Sequence, residues 1–288
     1  MIVDFLRGNA TASPVGLFVI CRFLSGQKHG LLESELARAL QELRRSDSDD
    51  SSGVLTASLA VGRGLGLLER DGRPPRWRLS ATGAGHLKDK LADWTTFRAE
   101  LAHQVATGVL AEEEYRSGPP DLVLGLAWFL QSDPLDPPSM DWTVETEARA
   151  RKIGLQALDT AEQWRAFRRW AVGLGMARRS GRAQLSRLIP DTSTAIADQF
   201  GSLPSDASAR EWLTALRARL PVLGDSETLK FLPKGPKWDS LPGGVALGLL
   251  KLESAGLLSL KSSDDASDVI VVGLGDVQRQ VGRVVVEA

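Results

Sequence analysis

Residues 64–87 read GLGLLERDGRPPRWRLSATGAGHL, and this segment decides the fold of the N-terminal part of the chain. Apolar and polar residues alternate around Asp71-Gly72, which predicts two short strands joined by a turn between Asp71 and Pro75. Upstream, apolar residues recur at helical spacing in Pro14–Ser25, in Leu31–Leu43 and in a segment that ends near Gly64. The predicted order over residues 14–88 is therefore three helices, a hairpin and a further helix.

This order resembles the winged helix-turn-helix domains of MarR-like and PadR-like regulators. In those domains the recognition helix runs into a strand that begins with two leucines, and a phrase of the type Arg-Leu-Thr-x-x-Gly closes the second strand. The matching residues here are Leu67, Leu68, Glu69, Arg70, Trp77, Arg78, Leu79, Ser80, Thr82 and Gly83. The resemblance implies a winged-helix domain over residues 1–90.

The C-terminal part of the chain repeats this pattern. Gly256-Leu257-Leu258 corresponds to Gly66-Leu67-Leu68, and Leu249 corresponds to Leu59 at the same offset. A polar turn and a β-branched strand follow. The turn contains three acidic residues, Asp264, Asp265 and Asp268. We therefore predict a C-terminal winged-helix domain over residues 204–288 with an acidic wing, and the tail from Val277 is a candidate for a further strand.

The middle of the chain, residues 91–203, is predicted to be a mainly helical domain with a long amphipathic segment over Val144–Leu174. Gly175-Met176-Ala177 follows that segment directly, as Gly66-Leu67-Leu68 follows its helix. Two alternatives stay open here: a plain helical domain, or a third, degraded winged helix. The predicted fold class is mainly α with small β-wings (α+β), made of tandem winged-helix units around a helical middle region.

Composition excludes several classes of protein. The 288 residues are 43% hydrophobic and 25% charged, which is ordinary for a globular chain. No apolar run approaches the roughly 18 residues of a membrane span, and no secretory signal begins the sequence. We therefore expect a cytoplasmic protein with no membrane partner. The formal net charge of −1 means that an anionic partner must be held by local basic patches.

The sequence has no recognisable catalytic or cofactor motif. Walker A, G-x-G-x-x-G after a strand, H-E-x-x-H, G-x-S-x-G and paired C-x-x-C motifs are all missing. The one cysteine, Cys21, lies in an apolar run that favours a buried thiol, and Glu112–Glu114 are more typical of a solvated helix face than of a metal site. We therefore expect no enzyme activity, no cofactor and no metal.

Basic residues supply the candidate nucleic-acid contacts. Arg70, Arg73, Arg76 and Arg78 crowd the first wing, where they could contact phosphates or pair with nearby carboxylates. Residues 149–187 contain ten basic and two acidic residues, a local charge of +8, which favours either a phosphate backbone or an acidic protein segment such as Glu112–Glu114. Trp164 and Trp170 lie in this region, where their spacing favours a core role.

The predicted recognition helices have few long polar side chains. Residues 51–64 offer Thr56, Ser58 and Arg63, and the C-terminal counterpart offers only Lys251, whereas base readout favours Arg, Asn or Gln. The candidate nucleic-acid-binding residues are Thr56, Arg63, Arg70, Arg73, Arg76, Arg78, Arg165, Arg168, Arg169, Arg178, Arg179 and Arg182.

The layout as a whole resembles the DpdG-type accessory proteins of bacterial deazaguanine DNA-modification and phage-defence gene clusters. The start Pro14–Leu40 and the phrase LGMARR…LIPDTSTAI over Leu174–Ile196 carry this resemblance. It implies a non-catalytic DNA-binding or scaffold subunit, with DNA and other proteins as partners. The alternative is a winged-helix transcriptional regulator, although the repeated units favour the subunit interpretation.

Overall fold

The computed structural model describes residues 4–40, 53–81, 93–107, 120–151, 157–181, 186–224, 241–262 and 269–287. The N-terminal elements are α1 (Pro14–Ser25), α2 (Glu33–Ala39), α3 (Gly53–Gly64), β1 (Leu68–Asp71) and β2 (Arg76–Leu79). The middle elements are α4 (Trp94–Thr107), α5 (Asp121–Phe129), α6 (Val144–Arg151), α7 (Ala161–Gly173), β3 (Ala177–Ser180), β4 (Arg187–Pro190) and α8 (Ser193–Ala197). The C-terminal elements are β5 (Asp206–Ser208), α9 (Ala209–Arg219), α10 (Gly243–Ser254), β6 (Leu258–Lys261), β7 (Ile270–Leu274), β8 (Val277–Val281) and β9 (Arg283–Val286).

Short 3-10 turns at Phe200–Ser202 and Pro221–Leu223 connect these elements. The chain is mainly helical with small antiparallel sheets, as predicted. The domain boundary predicted between residues 90 and 91 lies outside the described residues. No helix in the described ranges is both long and apolar enough to cross a bilayer.

One kind of turn ends α3, α7 and α10. Gly66, Gly175 and Gly256 have φ angles of 71°, 72° and 70° in the left-handed region, which glycine adopts without a steric penalty. The amide that follows each glycine donates to the carbonyl five residues earlier, at 2.8, 2.9 and 3.0 Å respectively. These are Schellman caps, and each leads directly into a strand. The strands predicted after α3 and α10 are confirmed. The middle region, where a plain helical domain was the alternative, has the same turn and strand.

The N-terminal, middle and C-terminal groups of elements, called units below, also share a strand order. In the N-terminal unit the residue before α2, Leu31, pairs with Trp77 of β2, which also pairs with β1. In the middle unit Ser139, which precedes α6, pairs with Arg187 of β4, which also pairs with β3. In the C-terminal unit β5 precedes α9 and the sheet order is β5-β9-β6. In each unit, then, the last strand is central.

The first hairpin forms as predicted. β1 and β2 pair from Leu68 with Leu79 to Asp71 with Arg76, and residues 72–75 form the turn. Leu68 and Trp77 are buried, which anchors one face of the hairpin on the core. Because side chains alternate along a strand, Arg76 and Arg78 lie on the outer face, whereas Arg70 shares the face of its cross-strand partner Trp77.

The long segment Val144–Leu174 is two helices and not one. α7 starts anew at Ala161 because Thr160 caps it: the Thr160 hydroxyl accepts the Gln163 amide at 3.2 Å. The Gln163 side chain in turn accepts the Thr160 amide at 3.1 Å. This reciprocal pair is a capping box, which stabilises a helix N-terminus.

The C-terminal unit departs from a simple predicted wing. β6 pairs with β9, where Leu258 lies opposite Val286, while β7 and β8 form a ribbon of their own. The tail therefore supplies two strands. The acidic residues predicted for this wing, Asp264, Asp265 and Asp268, lie outside the described residues.

Helix α10 is largely buried against the middle unit. The Gly244 amide donates to the Leu130 carbonyl at 2.9 Å, and the Thr192 hydroxyl donates to the Gly244 carbonyl at 3.0 Å. A Cβ on Gly248 would lie 2.4 Å from the Thr192 hydroxyl oxygen, so glycine permits this close approach. The helix that corresponds to α3 in the C-terminal unit is therefore an element of internal packing.

The N-terminal strap, residues 4–12, crosses the middle unit. The Asp121 carboxylate accepts the backbone amides of Phe5, Leu6 and Arg7 at 3.0, 2.8 and 3.2 Å. The Phe5 ring meets Trp170 edge-on, with ring centroids 5.0 Å apart. The strap thus lies beside α7.

Candidate nucleic-acid interface

The exposed side of α7 carries three arginines. Trp164, Phe167 and Trp170 are fully buried on the opposite side, which confirms the core role expected for the tryptophans. Arg165 and Arg169 are exposed and Arg168 is half-buried. At about 100° per residue, Arg165 lies at the centre of the exposed stripe.

Two of these arginines also hold the fold together. The Arg168 guanidinium donates to the Met140 carbonyl and lies 3.6 Å from the Asp141 carboxylate. The Arg169 guanidinium donates to the carbonyls of Ala10 and Ala12 in the N-terminal strap, at 2.9 and 3.3 Å. Their side chains are therefore anchored, although Arg169 is exposed and Arg168 is half-buried.

Burial and neighbouring arginine charges both lower the pKa values of the anchored arginines. Burial lowers the pKa of Arg168, and the nearby charges of Arg179, Arg165 and Arg169 lower it further, against the opposing effect of Asp141. Burial also lowers the pKa of Arg169, and the charge of Arg165 adds to the shift. We call Arg165, Arg168, Arg169 and Arg179 the α7 arginine surface, because these electrostatic couplings join them.

The hairpin β3–β4 continues this surface. Arg178 and Arg179 are exposed on β3, and Arg187 is exposed on β4. Arg178 lies 3.3 Å from the buried Asp191 carboxylate. In contrast, Arg165, Arg179 and Arg187 have no carboxylate partner among the described residues. Arg182, predicted for the same site, lies outside those ranges, as do Glu112–Glu114.

The first hairpin is far more neutral than its sequence indicates. Arg78 lies 2.5 Å from Glu69 and 2.6 Å from Asp71. Arg76 donates to the Gly30 carbonyl at 2.7 Å and lies 3.5 Å from Glu35.

The remaining arginines of this hairpin differ from each other. Arg70 lies 4.0 Å from Glu33 and sits over the Trp77 ring at 5.4 Å. Arg73 is exposed in the turn and has no carboxylate partner in the part of the chain that the structure describes. Three of the four arginines thus have the carboxylate partners that the alternative interpretation expected.

Helix α3 exposes few long polar side chains. Its exposed side carries Thr56, Ala60 and Arg63, and the Thr56 hydroxyl donates to Glu33 at 3.4 Å. Ser58 is buried, so it is not available to a ligand. Lys251 of α10 donates to Asp191 at 2.5 Å. Neither helix offers the density of exposed guanidiniums that α7 offers.

The positive charge is more concentrated than the window 149–187 predicts. Arg149 lies 2.8 Å from Asp136 and 2.5 Å from Glu145, and Arg151 lies 2.5 Å from Glu147. These partners precede the window, so a count along the sequence misses them. Among the described residues of this window, the arginines without a carboxylate partner lie on α7 and β3–β4.

Other candidate chemistry is not supported by local geometry. Burial raises the pKa of the Cys21 thiol to about 12, which keeps it protonated and unreactive. Within the described ranges no three His, Cys, Asp or Glu side chains are grouped so as to hold a metal ion.

Comparisons with known proteins give one match. The family model of DpdG-like proteins matches residues 6–266, which is most of the chain. No curated protein and no solved structure matches the chain significantly. By the extent of the family match, the chain belongs to the DpdG-like family.

Proposed function

We propose that the chain is a non-catalytic DNA-binding and scaffold subunit of a bacterial DNA-modification and phage-defence complex. The observation that carries the DNA-binding part is the α7 arginine surface. Membership of the DpdG-like family supports the assignment to a DNA-modification system. The proposal names no catalytic residue.

The chemistry of the α7 arginine surface suits a phosphate backbone. Guanidiniums donate pairs of parallel hydrogen bonds to phosphate oxygens and keep their charge at any physiological pH. Arg165 and Arg179 have no carboxylate partner among the described residues, so binding an anion there does not require breaking an ion pair. A net charge of −1 for the whole chain makes such a local site the expected route to DNA.

The proposal treats the three units as winged helices. Two observations support this assignment: the shared Schellman caps behind α3, α7 and α10, and the shared strand order in which the last strand is central. In the middle unit α7 then takes the position of the recognition helix and β3–β4 that of the wing. Winged helices also serve as protein-interaction modules, since fold alone does not fix function.

The scaffold part of the proposal is supported by the packing of α10. A helix that is buried against the middle unit is not accessible to DNA, and its glycines favour rigid contact between units. A winged-helix transcriptional regulator needs one DNA-reading unit in each protomer. In this chain the C-terminal unit instead packs its third helix against the middle unit. The complex-subunit interpretation explains why a winged-helix unit serves for internal packing, and the regulator interpretation does not.

The test is a fluorescence-anisotropy titration of a labelled mixed-sequence duplex with wild type and with Arg165→Glu/Arg179→Glu. Arg168 and Arg169 are left unchanged because they donate to backbone carbonyls, so their reversal would disturb folding as well as binding. The control is Lys28→Glu/Lys261→Glu, which makes the same change in net charge at exposed positions elsewhere. Circular dichroism checks that every variant is folded.

We expect wild type and the control to bind with a strong salt dependence and the α7 variant to lose most affinity. If polyglutamate displaces wild type from duplex as well as unlabelled DNA does, the surface is a docking site for acidic proteins. If the control loses as much affinity as Arg165→Glu/Arg179→Glu, the loss comes from the change in net charge and not from the α7 arginine surface. Either result overturns the DNA-binding part of the proposal.

A further inference from the structure

The three units differ in what their third helices leave exposed. α10 is buried against the middle unit, and the exposed side of α3 carries Thr56, Ala60 and Arg63. α7 exposes Glu162 and Arg165 in its N-terminal half. Among α3, α7 and α10, only α7 has both an exposed acidic and an exposed basic long side chain.

The two halves of α7 differ in access. A Cβ on Gly173, at the C-terminal end, would lie 2.7 Å from the Pro14 ring, and Arg169 is tied to the N-terminal strap. At the other end, residues 159–162 and Arg165 are exposed. The strap and α1 thus cover the C-terminal half. The strap also reaches the start of the helix, where the Arg7 guanidinium lies 3.1 Å from the Asp159 carboxylate, but Glu162 and Arg165 stay exposed.

Recognition helices contact base edges mainly through their N-terminal residues. Glu162 and Arg165 are three residues apart, so they lie on one face of the helix. In the major groove an arginine pairs best with guanine O6 and N7, and a glutamate accepts a hydrogen bond from the cytosine N4 amino group. The two side chains therefore match the donor and acceptor pattern of G·C pairs.

We infer that the N-terminal half of α7 enters the major groove of duplex DNA, where Glu162 and Arg165 read G·C pairs while Arg179 of β3 contacts a phosphate. The inference rests on the proposed function, since it needs the chain to bind duplex DNA. It assigns base readout to the middle unit alone. The N-terminal unit contributes the strap that holds α7, and the C-terminal unit contributes the packing of α10.

The proposed division of roles predicts different losses at different arginines. Loss of a base contact weakens binding and relaxes sequence preference, whereas loss of a phosphate contact weakens binding to all sequences alike. Arg165→Ala should remove the preference for G·C over A·T duplexes. Arg179→Ala should weaken both equally. Arg63→Ala, the matched change on α3, should alter neither.

The experiment measures anisotropy with two labelled duplexes of equal length, one of G·C pairs and one of A·T pairs, together with dimethyl sulfate footprinting of guanine N7. Wild type should prefer the G·C duplex roughly tenfold and protect guanine N7. Protection should disappear in Arg165→Ala and persist in Arg179→Ala and Arg63→Ala. Glu162→Gln, which keeps the shape of the side chain, should reduce the preference as well.

Two outcomes separate this inference from the proposed function. Salt-dependent binding without any G·C preference or N7 protection would overturn the inference and leave the proposed function standing. Absence of duplex binding would overturn both. Loss of protection in Arg63→Ala and not in Arg165→Ala would move base readout to the N-terminal unit and also overturn the inference.

Discussion

The Lys251 ammonium of α10 donates to the Asp191 carboxylate at 2.5 Å, and this carboxylate is 2% exposed. The same carboxylate lies 3.3 Å from the Arg178 guanidinium of β3. Asp191 therefore joins the buried C-terminal helix to the basic hairpin that continues the α7 arginine surface. A single side chain couples the scaffold to the candidate interface.

Acid should weaken this junction. Burial by itself would raise the pKa of Asp191, but hydrogen bonds from Lys251 and Ser193 outweigh it and lower the pKa below the ordinary value. A carboxyl whose pKa is lowered by folding stabilises the fold above its unfolded pKa, about 4, and loses that contribution as pH falls through the folded pKa. Urea unfolding at neutral pH and below pH 4 should show this loss.

The Asp191→Asn variant isolates that contribution. It should cost about 2 kcal/mol at neutral pH, because the Lys251 and Arg178 charges lose their shared partner. Its free energy of unfolding should then fall less steeply with acid than that of wild type. An unchanged pH dependence in the variant would show that Asp191 does not tie α10 in place.

Close packing of α10 should make Gly248 intolerant of a side chain. A Cβ there would lie 2.4 Å from the Thr192 hydroxyl and 3.0 Å from the Ser193 amide nitrogen. Gly248→Ala should cost about 1–3 kcal/mol of stability through overpacking. Gly201→Ala is the matched control, since a Cβ there meets nothing within 4 Å. Thermal unfolding of the two variants measures the difference, and equal melting temperatures would contradict the tight contact.

The N-terminal strap should detach when its anchor is removed. Asp121→Ala leaves the amides of Phe5, Leu6 and Arg7 without their acceptor, at about 1–3 kcal/mol for each buried group that stays unsatisfied. Hydrogen exchange at these amides should become much faster than in wild type. Asp133→Ala, which removes an exposed carboxylate that accepts one backbone amide, is the control. Unchanged protection of the strap amides in Asp121→Ala would show that another contact holds it.

The sequence predicts the helix-to-strand turns at Gly66 and Gly256, and indicates a similar turn at Gly175, because these turns are local. At Gly66, Gly175 and Gly256 a left-handed glycine and the apolar residue after it lie within a few residues of the helix end. The pairing of β6 with β9 is not local, since more than twenty residues separate the partners. Alternation alone does not say which strand will pair with which, so the C-terminal sheet differs from the predicted hairpin.

The sequence overestimates how many arginines of the candidate site keep an unpaired charge. A window of sequence counts Arg149 as a positive charge, but its partner Asp136 lies outside that window. In the same way Arg76 pairs with Glu35 of α2, some forty residues away in the sequence. Ion pairs between distant segments decide which arginines keep their charge for a ligand, and only the folded arrangement shows them.

Two glycines of the shared turns, Gly66 and Gly175, should differ in how much stability is lost when each is replaced by alanine. A side chain at Gly66 would meet no atom within 4 Å, so Gly66→Ala should cost only the left-handed backbone penalty, about 1 kcal/mol. At Gly175 a Cβ would also lie 2.9 Å from Thr194, so Gly175→Ala should cost clearly more. Urea unfolding of both variants tests this order. Equal losses would contradict the tighter packing of the middle unit.

The most direct test of DNA binding by the α7 arginine surface is the slope of log affinity against log salt concentration. Each lost phosphate contact lowers the magnitude of that slope by about one unit, so Arg165→Glu/Arg179→Glu should lower it by at least about one through the phosphate contact of Arg179, and Lys28→Glu/Lys261→Glu should leave it unchanged. An unchanged slope in a folded Arg165→Glu/Arg179→Glu variant would contradict the assignment of DNA binding to this surface.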